Sequence, residues 1–322
     1  MRTALRRIIC VLVVAPWVAW AVVRWFELDG GHPLVAAMAF TPYATALSVL
    51  AVFGAVVLRQ WVGAAVAAVA AIALVAAVAP RGIEGAGIAG DDARGTPFVA
   101  MTLNLHNGEA DAREVVRLVR KYRVDLLSLQ ELTPQALRRL DAAGARTLLP
   151  GRVLRPGRAA NGSGLFARTR LRAVGSVDAV GRRAPVARLR VGRRDLLVAV
   201  VHPLPPLHAG DVRTWQRQLR ALPGPRRGPR RGGTPRMLLG DFNATLDQRE
   251  LRRVLDCGYR DAADATGDGL RPTWPVHRTW LPITIDHILL PPQVLIRKLS
   301  DHEVRDGDHR ALIAELLLAN GP

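Results

Sequence analysis

The sequence predicts an α/β domain carried behind a block of membrane-spanning helices. Three observations predict it: charge is concentrated beyond residue 80, apolar periodicity beyond residue 98 alternates between strand and helix spacing, and polar side chains recur where predicted strands end.

Of 45 Lys and Arg and 27 Asp and Glu, residues 1–80 hold 5 and 2, which leaves 40 and 25, a net of +15, for residues 81–322. Between Ile8 and Ala79 the acidic and basic side chains are confined to Arg24, Glu27, Asp29, His32 and Arg59. A basic domain attracts nucleic acid, anionic lipid or phosphorylated substrates without choosing among them. Lys121 and Lys298 are the only lysines, so a general arginine bias accounts for the same excess. Cys10 and Cys257 fall in different parts of the chain, and neither a disulfide framework nor a zinc site is predicted.

Residues 1–80 read as a membrane anchor. Apolar stretches at about 8–26, 33–58 and 61–79 approach or exceed the roughly 20 residues a helix needs to cross a bilayer, so three transmembrane helices are expected. Trp17, Trp20, Trp25 and Trp61 supply an interfacial aromatic belt. A cleaved signal peptide over Met1–Val23 is the competing reading, but two further apolar runs follow it and no small-x-small cleavage site precedes them. Arg2, Arg6, Arg7 and Arg59 place the N-terminus in the cytoplasm of a plasma-membrane protein, and three crossings place the C-terminal domain outside. Residues 81–97, rich in Gly and charge and without a hydrophobic period, read as a flexible tether.

From residue 98 to 322 the pattern is that of one α/β domain. Strands are predicted at FVAMTLN (98–104), DLLSLQE (125–131), Ser163–Ala167, Leu196–Val201, Met237–Gly240, Ile285–Leu290 and Ala311–Leu318. Helices are predicted at Asp111–Tyr122, Val212–Ala221 and Asp247–Asp256. Polar motifs stand at the strand ends: TLNLHN with Asn104, LQE with Glu131, NGSGLFAR around Asn161, VVHPLPP with His202, GDFNA with Asp241 and Asn243, IDHILL with Asp286, and GDHRAL with Asp308 and His309.

These seven fragments, in this order, resemble the endonuclease/exonuclease/phosphatase superfamily. The resemblance implies two packed β-sheets flanked by helices, a four-layer α/β/β/α sandwich, and hydrolysis of phosphate esters with a divalent metal, magnesium or manganese in its place. Magnesium keeps several waters and needs few protein oxygens, which suits Asn104 and Glu131, with Asp308 near the metal or the water. His309 resembles the family's general base, with Asp286 holding its ring. His202 resembles the histidine that donates to the phosphate or the leaving oxygen, and Asp241 with Asn243 the pair that positions phosphate and nucleophile. Of three Asp-His pairs only Asp308-His309 follows a Gly and precedes an apolar strand, so His287 and His302 are expected to be structural or exposed. His106 and Asn107 stand where an acidic ligand for a second metal would be needed.

Arg226, Arg227, Arg230 and Arg231 lie in a Gly/Pro loop expected to be mobile, either solvated or touching headgroups or nucleic acid. Helices joined to a domain of this superfamily resemble the VanJ-type membrane proteins of teicoplanin resistance, which implies a phosphorylated, lipid-linked substrate of the cell envelope. The alternative is a membrane-tethered nuclease, favoured by basic charge and disfavoured by an aromatic content of 5%, low for base stacking. A non-catalytic scaffold is the third possibility, against which the intact polar set argues. Nothing in the sequence reports the oligomeric state.

Overall fold

The structure, a computed structural model, describes the chain except residues 1, 91, 180–181, 228–232, 278–280 and 321–322. Four helices come first: Arg2–Trp25 (α1), Leu34–Met38 (α2), Thr41–Val57 (α3) and Trp61–Val78 (α4). Helices α1, α3 and α4 form an up-down-up bundle in which Ala51, Ala55, Ala64 and Ala67 bury against Cys10 and Val14. Small residues let the backbones approach: a Cβ at Gly63 would stand 2.3 Å from Cys10 Sγ. The opposite faces are apolar and exposed, among them Leu12, Leu50, Phe53, Val62, Val69 and Ile72.

Two of these helices, over Thr3–Trp25 and Trp61–Gly82, are long and apolar enough to cross a membrane. The third apolar helix is shorter than the expected 33–58. The stretch 33–58 is interrupted after Met38, and α3 restarts at Thr41 with a proline in its first turn. Pro42 lacks an N–H and suits a helix start, not the interior of a 26-residue helix. What remains is 17 residues, about 25 Å at 1.5 Å per residue.

Residues of the stretch 81–97, expected to be a flexible tether, make contacts with the C-terminal domain. Ala79–Gly82 forms a 3-10 turn, Arg81 is buried, and the Gly85 and Ala89 amides donate to Ala265 and Ile296 carbonyls at 2.9 and 2.7 Å. A sequence without side-chain periodicity is here held by its backbone groups, which hydropathy does not register.

The C-terminal domain then runs Gly95–Asn104 (β1), Ala112–Lys121 (α5), Leu126–Gln130 (β2), Pro134–Ala142 (α6), Ala145–Leu148 (α7), Gly151–Arg155 (β3), Ser163–Ala167 (β4), Leu171–Ala179 (β5), Arg182–Val191 (β6) and Arg194–Val201 (β7). It continues with Ala209–Arg220 (α8), Arg226–Arg227 (β8), Thr234–Asp241 (β9), Arg249–Asp256 (α9), Arg260–Asp261 (β10), Ala262–Ala265 (α10), Asp286–Leu290 (β11), Val294–His302 (β12) and Ala311–Ala319 (β13). One sheet has the order β12-β13-β1-β2-β4-β3, the other β10-β11-β9-β7-β6-β5 with β8 paired to β9.

Alternation along the strands produces the layers. Phe98 and Ala100 of β1 face the second sheet, where Val198, Val200, Met237 and Leu239 meet them. Met101 and Leu103 point outward under Val115 and Leu118 of α5. Leu238 and Val201 point outward on the other side, under Trp215 of α8 and Leu251 of α9. The result is two packed, mixed sheets with helices outside. Val35, from the stretch expected to lie in the membrane, is fully buried in that last layer.

Candidate active site

The predicted residues converge because their strands are neighbours. In the parallel pair β1/β2, Asn104 stands opposite Gln130, so Glu131 is the next residue beyond the sheet edge. In the parallel pair β7/β9, Val201 stands opposite Gly240, which brings His202 beside Asp241. Asp241 and Asp286 are directly paired in the antiparallel β9/β11 ladder. Like charges in that arrangement repel, so the pair marks a place where stability is set aside for chemistry.

The polar contacts bind these residues into one cluster. Asn104 Nδ2 donates to Glu131 Oε1 at 3.2 Å and to Asp241 Oδ2 at 3.0 Å, while its Oδ1 accepts from the His106 amide at 3.0 Å. The Asn107 amide donates to Glu131 Oε2. His106, Asn107 and Glu131 all have positive φ, 49°, 54° and 56°, so this turn aims backbone donors at the two side chains. His202 Nε2 lies 3.5 Å from Glu131 Oε1 and 3.7 Å from Asp241 Oδ2. Asn243 Nδ2 donates to the Pro203 carbonyl at 3.0 Å, and its amide to Asp241 Oδ1 at 2.7 Å. Gly240 is required: at φ 152° its backbone passes so near β7 that a Cβ would fall 1.9 Å from the Val201 carbonyl oxygen.

His309 closes the cluster. Its Nδ1 meets Asp286 Oδ2 at 2.8 Å, and its Nε2 faces Asp241 Oδ2 at 3.8 Å and Asp308 Oδ1 at 3.9 Å. Burial opposes charge on this ring, but Asp286, with Asp241 and Asp308, outweighs it and pushes His309 up to about 10. Burial pushes Asp241 up to about 7, moderated by the His309 charge and reinforced by Asp286.

Two groupings could hold a metal. Asp241, Asp286 and His309 offer ligand atoms within 4.8 Å of one another, and with Nδ1 on Asp286, His309 would offer Nε2. The oxygens of Glu131, Asn104 and Asp308 suit a hard divalent ion better. Asp308 Oδ1 is buried and has no hydrogen-bond partner among the described residues, as expected of an oxygen awaiting a cation. Asn104 fits this group less simply, since its amide nitrogen faces Glu131 and its oxygen holds the His106 amide.

Elsewhere the predicted residues separate as follows. His287 is buried, Nδ1 on Asp261 Oδ2 and Nε2 on the Ala244 carbonyl, both at 2.8 Å, and pins two active-site segments structurally. His302 packs against the Tyr122 ring, centroids 4.9 Å apart. Asn161 ends an exposed 3-10 turn. Arg226 and Arg227 pair with β9, and Arg230 and Arg231 lie outside the described residues. Cys10 is buried, Cys257 exposed, and both are free.

Sequence reasoning missed Thr273 and Trp274. Thr273 Oγ1 accepts from the Ile285 and Asp286 amides, and Trp274 Nε1 donates to Asp308 Oδ2 at 3.0 Å with its ring 6.3 Å from that of His309. The available signal was a Trp in a polar, proline-flanked loop. It also missed Asp247, fully buried four residues after Asn243 and bound by Arg24 Nε at 2.8 Å and by both Arg81 terminal nitrogens at 2.7 and 2.6 Å. Next to it, Gln248 Nε2 donates to the Val35 carbonyl at 2.7 Å and the Arg249 amide to Asp29 Oδ2 at 3.0 Å. The loop that carries Asp241 and Asn243 is thus held from the N-terminal helices.

A two-sheet sandwich with a His-Asp dyad, a carboxylate-amide pair and a second histidine at one edge is the architecture of a phosphoester hydrolase. Residues 101–309 match the model of the endonuclease/exonuclease/phosphatase family, and the chain belongs to that family. Similar solved structures include a humanised D. rerio TDP2, 15% identical with a TM-score of 0.53, covering 68% of this chain and 98% of that one. D. rerio TDP2 in complex with a single-strand DNA product is 16% identical, TM-score 0.52, over 68% and 98%. An endonuclease/exonuclease/phosphatase from Beutenbergia cavernae DSM 12333 is 17% identical, TM-score 0.52, over 70% and 73%. No curated protein matches the chain.

Proposed function

We propose that this hydrolase is a membrane-held, metal-dependent phosphoesterase acting on a phosphate ester or pyrophosphate of a membrane lipid. The observation that carries the reading is the attachment of the active-site loop, through Asp247, Gln248 and Arg249, to α1, the α1–α3 connector and the turn at the foot of α4. The site cannot be far from the bilayer if α1 and α4 cross it, with α3 crossing beside them. In this reading Arg2, Arg6 and Arg7 hold the N-terminus in the cytoplasm, and three crossings carry the domain outside. The same arrangement of helices and domain underlies the resemblance to VanJ-type proteins.

Glu131, Asn104 and Asp308 would hold the metal, magnesium in this reading. A divalent cation bound there supplies positive charge to the phosphoryl oxygens and makes a bound water more acidic. His309, fixed by Asp286 at Nδ1, takes the proton of the attacking water at Nε2 from its neutral form, which a divalent cation held beside it would favour by opposing charge on the ring. Asp241 and Asn243 orient that water and the phosphate, and His202 donates to a phosphoryl or leaving oxygen. Trp274 holds Asp308 in place through Nε1.

A nuclease is the second reading, favoured by the basic domain and by the structural likeness to a TDP2 bound to a DNA product. The deciding experiment assays the purified full-length protein with magnesium against a polyprenyl pyrophosphate, a phospholipid, and single- and double-stranded DNA. The lipid reading expects a lipid phosphate to be turned over fastest, and faster cleavage of DNA than of any lipid overturns it.

A further inference from the structure

Among the described residues of the C-terminal domain, the large hydrophobic side chains left exposed are Ile83 (67%), Leu207 (63%), Leu281 (55%) and Leu270 (42%). They are not scattered. Ile83 immediately follows the turn at the foot of α4. Leu270 lies under the same turn, its Cδ1 3.7 Å from where a Cβ of Gly82 would be, and the Gly269 amide bonds the Arg81 carbonyl. Leu281 precedes Pro282, whose carbonyl accepts from Tyr43 Oη in the first turn of α3 at 2.7 Å. Leu207 stands between the His202 loop and α8, and α8 reaches the Gly30 carbonyl through Gln216 Nε2 at 2.8 Å. In the connector between α1 and α3, Phe26, Leu28 and Leu34 are exposed too.

We infer that these side chains form a collar that dips into the interfacial layer of the bilayer and seats the mouth of the active site on its surface. The inference rests on the reading that the helices cross a membrane, and adds that the hydrolase domain itself makes lipid contact. Isolated exposed apolar residues need no explanation, but a domain whose examples gather at one end does. The occupant follows from continuity: the collar extends the lipid-facing side chains of α1, α3 and α4. It also follows from charge: Arg213 and Arg217 on the exposed face of α8 form no ion pair among the described residues and suit phosphate headgroups. Leu207 and Leu281 lie on segments leading from His202 and into Asp286, which ties the collar along the chain to the catalytic cluster.

The test places a fluorescent reporter in the collar. Full-length protein carrying Leu207→Trp, Leu281→Trp or, as control, Arg120→Trp at the far end of α5 is reconstituted into phosphatidylcholine vesicles with and without brominated acyl chains. The fluorescence added by the two collar tryptophans should fall by at least half with brominated lipid, and that of the control should not change. Collar tryptophans quenched no more than the control, in protein that floats with the vesicles, overturn the collar and leave the anchor standing. Protein that fails to float with the vesicles overturns both.

Discussion

Arg81→Ala offers the sharpest test of how the helices and the hydrolase domain depend on each other. Asp247 is fully buried and accepts three charge-assisted hydrogen bonds, two from Arg81 and one from Arg24. Removing Arg81 leaves a buried carboxylate with a single cationic partner. Breaking a buried ion pair by deleting one partner costs about 3–5 kcal/mol, because the remaining charge stays desolvated. At roughly 2–4 °C per kcal/mol for a domain of this size, Tm should fall by about 10 °C. Arg24→Ala removes one bond of three and should cost less. The combined change Arg24→Met, Arg81→Met and Asp247→Leu should restore much of the loss, since no charge then remains buried. Thermal unfolding of the detergent-solubilised protein, followed by near-ultraviolet circular dichroism, measures all three. The reasoning fails if Arg81→Ala shifts stability by less than about 1 kcal/mol, or if the triple apolar variant is as unstable as the single one.

Other expectations follow from the same geometry. A chain starting at Thr96 should be insoluble or inactive, because it strips Asp247 of both arginines and removes Val35 from the outer core; a soluble, fully active fragment would show the contacts to be incidental. His309→Ala should lower turnover by about 100- to 10,000-fold with the circular dichroism spectrum unchanged, whereas His302→Ala, stacked on Tyr122 away from the cluster, should be nearly silent. Glu131→Gln should raise the metal concentration needed for half-maximal activity, and an unchanged metal titration would remove Glu131 from the ligand set. Burial opposes charge on His287, but Asp261 at 2.8 Å prevails and raises it above 6.5 in the folded chain. The stabilisation from that proton is complete below pH 6.5 and fades as pH rises through the folded value. Asp261→Asn should therefore lose most stability at low pH and narrow the gap from wild type toward alkaline pH.

The sequence by itself determined the candidate-site residues and the order in which they are delivered. Asn104, Glu131, His202 and Asp241 follow or end a short apolar run with strand periodicity, and Asp286 and His309 stand at or just before the start of one, so their positions at strand ends were legible residue by residue. Strand β4 was predicted with the bounds it has. The long hairpin of β5 and β6 was missed because Arg172, Arg182, Arg183, Arg188 and Arg190 with Gly175, Gly181 and Pro185 interrupt the apolar run. Such strands are set by cross-strand pairing along β5, β6 and β7, which the apolar period of a single strand does not encode.

Only the tertiary structure decided which of these residues touch, and where the apolar N-terminal helices end. The facing of Asp241 and Asp286 is a matter of register between strands some 45 residues apart in sequence, and register is fixed by packing of both sheet faces. Hydropathy assigned Val35 to a bilayer and residues 81–97 to solvent because it scores a side chain without its surroundings. In the folded chain Val35 is buried under α8 and α9, Arg81 is buried against Asp247, and the Gly-rich stretch lies on the domain through its backbone. A protein core is as apolar as lipid, and an arginine facing a buried carboxylate is as well satisfied as one in water; sequence alone does not distinguish these environments, and contact does.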